Sequence, residues 1–339
     1  VVDGFRHGFS RSFRRLPGPA RIGAGTARFL FNEAMLDHIL RKWTPNCGGR
    51  IVRMSRVAGD GGGRPERLNH RTTDATDLMP QNGRPSFEHL SFVASDTPEA
   101  QEAKALLVAE YGNVDAEDAD TIVALGGDGL MLQTLHRFIN SDKPIYGLNC
   151  GSVGFLMNEF RVEGLRERLA DSVVTALHPL AMEAKTVLGD THLAHAFNEV
   201  SMMRQTYQAA KLRISIDDKV RLEEMSCDGV LVATPAGSTA YNLSAHGPIL
   251  PIHVPLLAVT PISAFRPRGW RGAVIPDRCS IVIDVLEHQK RPVSVAADHQ
   301  EVRDVLRVAI KADVRQRSLI LFDRNHGWEE RVLTEQFRT

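Results

Sequence analysis

The apolar run Thr121–Leu125 breaks directly into Gly126-Gly127-Asp128-Gly129 and resumes at helical spacing through Leu132, Leu135 and Ile139. A strand that ends on glycines and restarts as a helix points to a parallel sheet, because parallel neighbours need a helical crossover between them. The flanking segments repeat the pattern. His89–Ala94 reads as a strand. Thr97-Pro98-Glu99 reads as a helix start, with Thr97 as cap, Pro98 in the first helical position and Glu99 favourable to the dipole. Ala103, Leu106, Leu107 and Tyr111 then recur along one helical face. Ile145–Leu148 is a third strand, closed by the glycine-rich Asn149–Phe155. Ligands of such sheets sit beyond the carboxyl ends of the strands, where both glycine-rich turns fall.

From about Pro179 the texture changes to short apolar stretches between turn signals: Val187–His192, Lys211–Asp217, Gly229–Thr234, Cys279–Val285 and Val293–Ala297. The fold class expected is therefore α/β plus all-β. An N-terminal Rossmann-like α/β domain over 85–178 carries the GGDG turn, and a C-terminal β-rich, sandwich-like domain covers 179–316. Ser318–Asp323, in the segment 317–339, can return to the first domain. Residues 1–84 differ in kind, with fifteen Lys+Arg against seven Asp+Glu, a net +8 that leaves −8 on the rest of a chain of zero formal charge. We expect a disordered basic extension or one created by an upstream start, since Met79 stands just before the ordered pattern. Within it Ala27–Trp43 has amphipathic helical spacing, and Gly23–Arg28 echoes GxGxxG without the preceding strand that motif needs.

Composition excludes several classes. No apolar run approaches the roughly 20 residues that span a bilayer, and no signal peptide or membrane partner is expected. The four cysteines show no CxxC spacing, which argues against a zinc site or disulfide framework and fits a reducing cytoplasm. No GxxxxGK[ST] string occurs, so phosphates would be held by other means. The N–H groups of Gly126, Gly127 and Gly129, with the following helix's N-terminus, can supply them. Asp128 departs from that scheme, because a carboxylate beside phosphates repels them unless a cation or proton intervenes. It suits Mg²⁺, or a base poised against a hydroxyl; the plain alternative is an aspartate that caps the helix. Ala233–Tyr241, ATPAGSTAY, is a small-residue turn dense in donors. Asn198-Glu199 places an amide beside a carboxylate, a pair able to read an exocyclic amine and ring nitrogens.

These three motifs, in this order, with Gly147–Leu156 and Gly247–Leu250, resemble the NAD kinase family over roughly Leu90 to Phe322. Other GGDG enzymes, the lipid kinases and 6-phosphofructokinases, have no reason to keep Asn198-Glu199 and the TPAGSTAY string. The resemblance implies transfer of the γ-phosphoryl group of ATP to the 2′-hydroxyl of the adenosine ribose of NAD, with Mg²⁺ or another divalent cation. It implies that Asp128 accepts the proton beside Gly129, and that Asn198 and Glu199 read the adenine side. Asp228 lies toward the nicotinamide end, while Thr239, Ala240, Tyr241, Asn242, Leu243 and Ser244 close over the substrate. Phe155 packs on a base or in the core. Ser263 lies near the substrate; Ala297-Asp298-His299-Gln300 keeps the motif's aspartate and glutamine with His299 replacing a glycine, so that Asp298 is a second candidate near the reacting hydroxyl and Gln300 a nucleotide-binding residue. Ser226 stands where the family often has Arg, and Arg266, Arg268 and Arg271 occupy its arginine-containing segment. A homodimer or homotetramer is implied, and nucleic acid is not an expected partner. The metal ligands stay unassigned. The alternative class is an NAD-binding module without turnover.

Overall fold

The computed structural model describes residues 87–151, 154–324 and 328–337. The readings made on 1–84, including Ala27–Trp43, Gly23–Arg28 and Met79, lie outside them. Strands β1 (Leu90–Ala94), β2 (Thr121–Gly126) and β3 (Pro144–Asn149) pair in parallel, in that order. The crossover from β1 to β2 is helix α1 (Pro98–Tyr111), capped by Thr97, whose hydroxyl accepts from the Ala100 N–H. It buries Ala100, Ala103 and Leu107, while Leu106 is 50% exposed. The expected stripe is thus rotated: a helix packing on the 100, 103, 107 line turns residue 106 off the sheet. Helix α2 (Asp128–Arg137) connects β2 to β3 and ends before Ile139.

Beyond β3 the sheet is completed from far along the sequence. β18 (Ser318–Phe322) lies parallel to β3, and β5 (Val173–Leu177) runs antiparallel on its other side. The two-residue β4 (Asn158–Glu159) pairs with the end of β3. All five residues of β18 are buried, which explains why it reads as an unbroken apolar run.

The rest is two antiparallel six-stranded sheets. One holds β6 (Leu180–Thr186), β7 (Thr191–Ala196), β9 (Ala210–Ile216), β10 (Lys219–Cys227), β14 (Ile281–Leu286) and β17 (Val305–Ala312). The other holds β8 (Glu199–Arg204), β11 (Gly229–Ala233), β12 (Leu256–Ile262), β13 (Ala273–Pro276), β15 (Val293–Ala297) and β16 (Gln300–Val302). Alternating residues of both, among them Met182, Leu212 and Ile283 facing Met202, Val232 and Val295, form one core, the arrangement of a β-sandwich. Of the expected strand Val187–His192, residues 187–190 form the hairpin loop between β6 and β7, and only Thr191 and His192 are in β7. Thr186 N–H bonds to Asp190 O, Gly189 takes φ +90°, and Val187 and Leu188 are exposed in the hairpin loop. Glycine at positive φ outweighs two apolar neighbours there.

A second core joins sheet and sandwich: Met131 and Leu135 of α2, Ile145 and Ile320, with Phe197, Ala236 and Ile252. No helix among the described residues is long and apolar enough to cross a membrane.

Candidate active site

Strand β2 ends at Gly126 and α2 begins two residues later, with extended Gly127 as its N-cap and no side chain bonded to the first turn. First-turn N–H groups lack intrahelical acceptors, and the helix dipole is positive at that end. A Cβ built on Gly126 would stand 3.0 Å from Leu130 and 3.2 Å from Ser95, whereas one on Gly127 or Gly129 would meet nothing within 4 Å. The protein's own packing therefore accounts for Gly126. Gly127 and Gly129 instead leave an open face against which an anion can lie.

Asp128 opens α2. Its carboxylate accepts from the N–H groups of Phe155 (2.8 Å) and Leu156 (3.0 Å), pinning the loop after β3 to the GGDG turn. Burial raises its pKa, opposed by those N–H donors and by the nearby Arg331 guanidinium. A Cβ on Gly154 would lie 2.6 Å from Asp128 Oδ1, so the loop can close on the carboxylate only with glycine there. Arg331, from α3 (Trp328–Gln336), holds the same loop by donating to Phe155 O (2.8 Å) and Asn158 Oδ1 (2.9 Å). Sequence reasoning missed it, because a lone arginine in a polar tail carries no signal. Phe155 is half-buried and packs against the second core, its ring 6.2 Å from that of Trp328.

The second group of residues surrounds Asn198-Glu199. The N–H groups of Phe197, Asn198 and Glu199 all donate to Asp298, at 2.7, 3.0 and 3.2 Å. Asp298 occupies the turn between β15 and β16 at φ +50°, and its side chain is fully buried. Its oxygens thus shape the main chain beneath the Asn-Glu pair. His136, in the last turn of α2, places Nε2 2.7 Å from Asp298 Oδ2. The sequence held no hint of this residue beyond its place on the GGDG helix.

Behind the pair stands the TPAGSTAY segment. Thr234 N–H donates to Asn198 O (2.9 Å), its hydroxyl donates to Phe197 O (2.6 Å), and the same hydroxyl accepts from Gly237 N–H (3.0 Å). A Cβ on Gly237 would lie 2.1 Å from Asn198 O. With these main-chain groups paired, the Asn198 amide is left for other partners. Glu199 Oε2 is buried with no hydrogen-bond partner, and burial, then the Asp298 charge, push its pKa up to about 7. A buried carboxyl oxygen without a partner calls for a donor or acceptor from outside the protein.

Further residues fall into line unequally. Tyr241 is partly exposed and feels both Glu199 and Asp228, so the three share a neighbourhood. Asp228 is paired with Arg204 Nε, from β8, at 2.5 Å. Ser226 bonds through its main chain to Phe265 and Arg266. Asn242 is fully buried, its amide donating to Ser238 O and Pro248 O and accepting from the Thr260 hydroxyl, so it organises the segment internally. Thr239 is buried and donates to Ala236 O; Ala240 and Leu243 are half-buried, and Ser244 is exposed. Ser263, at φ +50°, and Gln300, on β16, are exposed. A cavity of about 310 Å³ lies behind the motif turns, lined by Phe197, Thr234, Pro235 and Ala236 but by none of Asp128, Glu199, Asp228 or Tyr241.

Comparison with known proteins bears on this arrangement. Residues 78–178 match the family described as the ATP-NAD kinase N-terminal domain, and 197–313 the ATP-NAD kinase C-terminal domain. The chain is 57% identical over 249 residues to the NAD kinase of Brucella suis biovar 1 (strain 1330), covering 74% of this chain and 97% of the relative. It is 55% identical over 251 residues to the NAD kinase of Rhizobium meliloti (strain 1021), covering 74% and 98%. Among solved structures, yeast NADH kinase complexed with NADH superposes with a TM-score of 0.65 at 21% identity, covering 76% of this chain and 93% of that one. An NAD kinase from Archaeoglobus fulgidus in complex with ATP gives 0.58 at 22% identity, covering 74% and 98%. At those identities the structures speak for the fold.

Proposed function

The chain belongs to the NAD kinase family, and on that premise we propose how this site performs the reaction. The enzyme transfers the γ-phosphoryl group of ATP to the 2′-hydroxyl of the adenosine ribose of NAD, yielding NADP and ADP. Phosphoryl transfer is accelerated mainly by positioning and by neutralising charge. The uncapped start of α2, with open faces at Gly127 and Gly129, is the observation that carries the donor half: it offers N–H groups and a positive dipole to phosphate oxygens.

Asp128 is the base for the 2′-hydroxyl. Burial raises its pKa, which strengthens it as a proton acceptor. Each of its oxygens accepts one main-chain N–H and keeps a second lone pair for the hydroxyl. Asn198 and Glu199 hold the adenosine side, where the unpartnered Glu199 Oε2 meets a polar group of the acceptor. Asp228 and Tyr241 line the same neighbourhood, and Asp298 sets the turn from beneath.

No group of three or more His, Cys, Asp or Glu side chains converges among the described residues. A divalent cation here would take its ligands mainly from nucleotide phosphates and water, as Mg²⁺ does, and would offset the charge of the triphosphate, with Asp128 the nearest carboxylate that could approach it in place of acting as base. The reading includes a homodimer or homotetramer, and a cytoplasmic setting in keeping with Cys150, Cys227 and Cys279 as free thiols. The test is incubation with NAD⁺, ATP and Mg²⁺, with NADP⁺ detected by an NADP-specific dehydrogenase. NADP⁺ formed in proportion to enzyme is expected. Folded protein that binds NAD⁺ but forms none would replace the kinase with a binding module.

A further inference from the structure

Helix α2 touches the site at both ends. Asp128 opens it, and His136 lies eight residues on, about 12 Å along the axis at the usual rise. There the imidazole leaves its own domain. Its Nε2 is 2.7 Å from Asp298 Oδ2, its ring meets that of Phe197 edge-on at 5.1 Å, and it meets that of His299 likewise at 5.1 Å. Asp298 in turn accepts from three successive N–H groups at Phe197, Asn198 and Glu199. One carboxylate thus ties the end of the GGDG helix to the main chain of the Asn-Glu pair.

We propose that His136 is a positioning residue, whose bond to Asp298 fixes the register between the GGDG turn and the acceptor-reading pair. The inference rests on the kinase reading above. A carboxylate already accepting three N–H bonds has only acceptor capacity left, so the Nε2 side of the imidazole carries the hydrogen. The alternative of simple packing is weaker. The ring is mostly buried, with 16% of its side chain exposed, yet its polar edge is aimed at a fully buried charge acceptor; an apolar ring would fill the same space and leave Asp298 short of a donor. Breaking the bond leaves each half of the site intact and lets one slide against the other. In-line transfer is sensitive to that, since a displacement of about 1 Å can cost roughly 10²-fold.

The test compares kcat and KM of wild type, His136→Gln, His136→Asn, His136→Phe, Asp298→Asn and the Phe/Asn double variant, each checked for folding. Glutamine can bring an amide N–H to the place of Nε2; asparagine falls short of it, and phenylalanine keeps only the ring. The expectation is that H136F and H136N lose about 10- to 10²-fold in kcat. KM for NAD⁺ and ATP should change less than about threefold, and H136Q should return to within about threefold of wild type. The double variant should be no slower than D298N, because the two side chains act as one unit. If H136F does not fold, the contrast between H136N and H136Q decides alone. Equal kcat in wild type, H136N and H136Q would overturn the proposal. So would losses in H136F and D298N that multiply, or losses that follow only the folded fraction. Wild-type NADP⁺ formation is read in the same assay, so failure of the kinase reading would show separately.

Discussion

The two halves of the site use a buried aspartate in the same way and leave opposite things free. At the end of the parallel sheet, Asp128 accepts two loop N–H groups, and what stays open is backbone: Gly127 and Gly129 and the first turn of α2. At the edge of the sandwich, Asp298 accepts three N–H groups, and what stays open is side chain: the Asn198 amide and Glu199 Oε2. Backbone donors suit phosphates, which are alike in every nucleotide. Side-chain groups suit an acceptor that has to be told apart from others. Common chemistry and specific recognition are thus built from different parts of the chain.

The largest effect expected is at the seam behind Asn198. A Cβ at Gly237 would sit 2.1 Å from a backbone oxygen that cannot swing away, so Gly237→Ala should cost about 1–3 kcal/mol or more. Denaturant titration would check it, and an unchanged midpoint would detach the TPAGSTAY turn from the pair. On the other side, Gly154→Ala pushes on Asp128 Oδ1 from 2.6 Å. We expect kcat to fall by about tenfold or more with a smaller loss of stability, because a displaced base loses alignment before the fold loses packing. Steady-state rates beside melting curves would separate the two.

Glu199 sharpens the contrast through pH. Its folded pKa of about 7 exceeds its ordinary 4.5, so the folded state holds a proton that the unfolded state has released. Stability from this group is full below about 4.5 and is lost as pH rises through 7. Glu199→Gln should therefore gain melting temperature relative to wild type on going from pH 5 to pH 8; a constant difference would mean Glu199 ionises normally. The smallest effect belongs to Leu106, half-exposed on α1: Leu106→Ser should change stability by no more than about 0.5 kcal/mol.

The parallel half was legible because its signals are local. Thr97-Pro98 marks the start of α1, and β2 reads directly into GGDG. The hairpin loop over 187–190 was misread as strand because two exposed apolar residues outnumber one glycine in a pattern count. Site residues that work through short motifs were visible in the sequence. His136 and Arg331 were not, since each acts across more than 160 residues, on Asp298 and on Phe155 and Asn158, and nothing in the local pattern encodes such partners.

The division of labour is tested most directly by equilibrium titration of NAD⁺ into Asp128→Asn and Asn198→Ala, read beside the kcat of each. D128N is expected to bind NAD⁺ within about threefold of wild type while losing about 10²-fold or more in kcat. N198A is expected to lose affinity and keep most of its kcat at saturating NAD⁺. Wild-type turnover in D128N, or full affinity in N198A, would contradict that division.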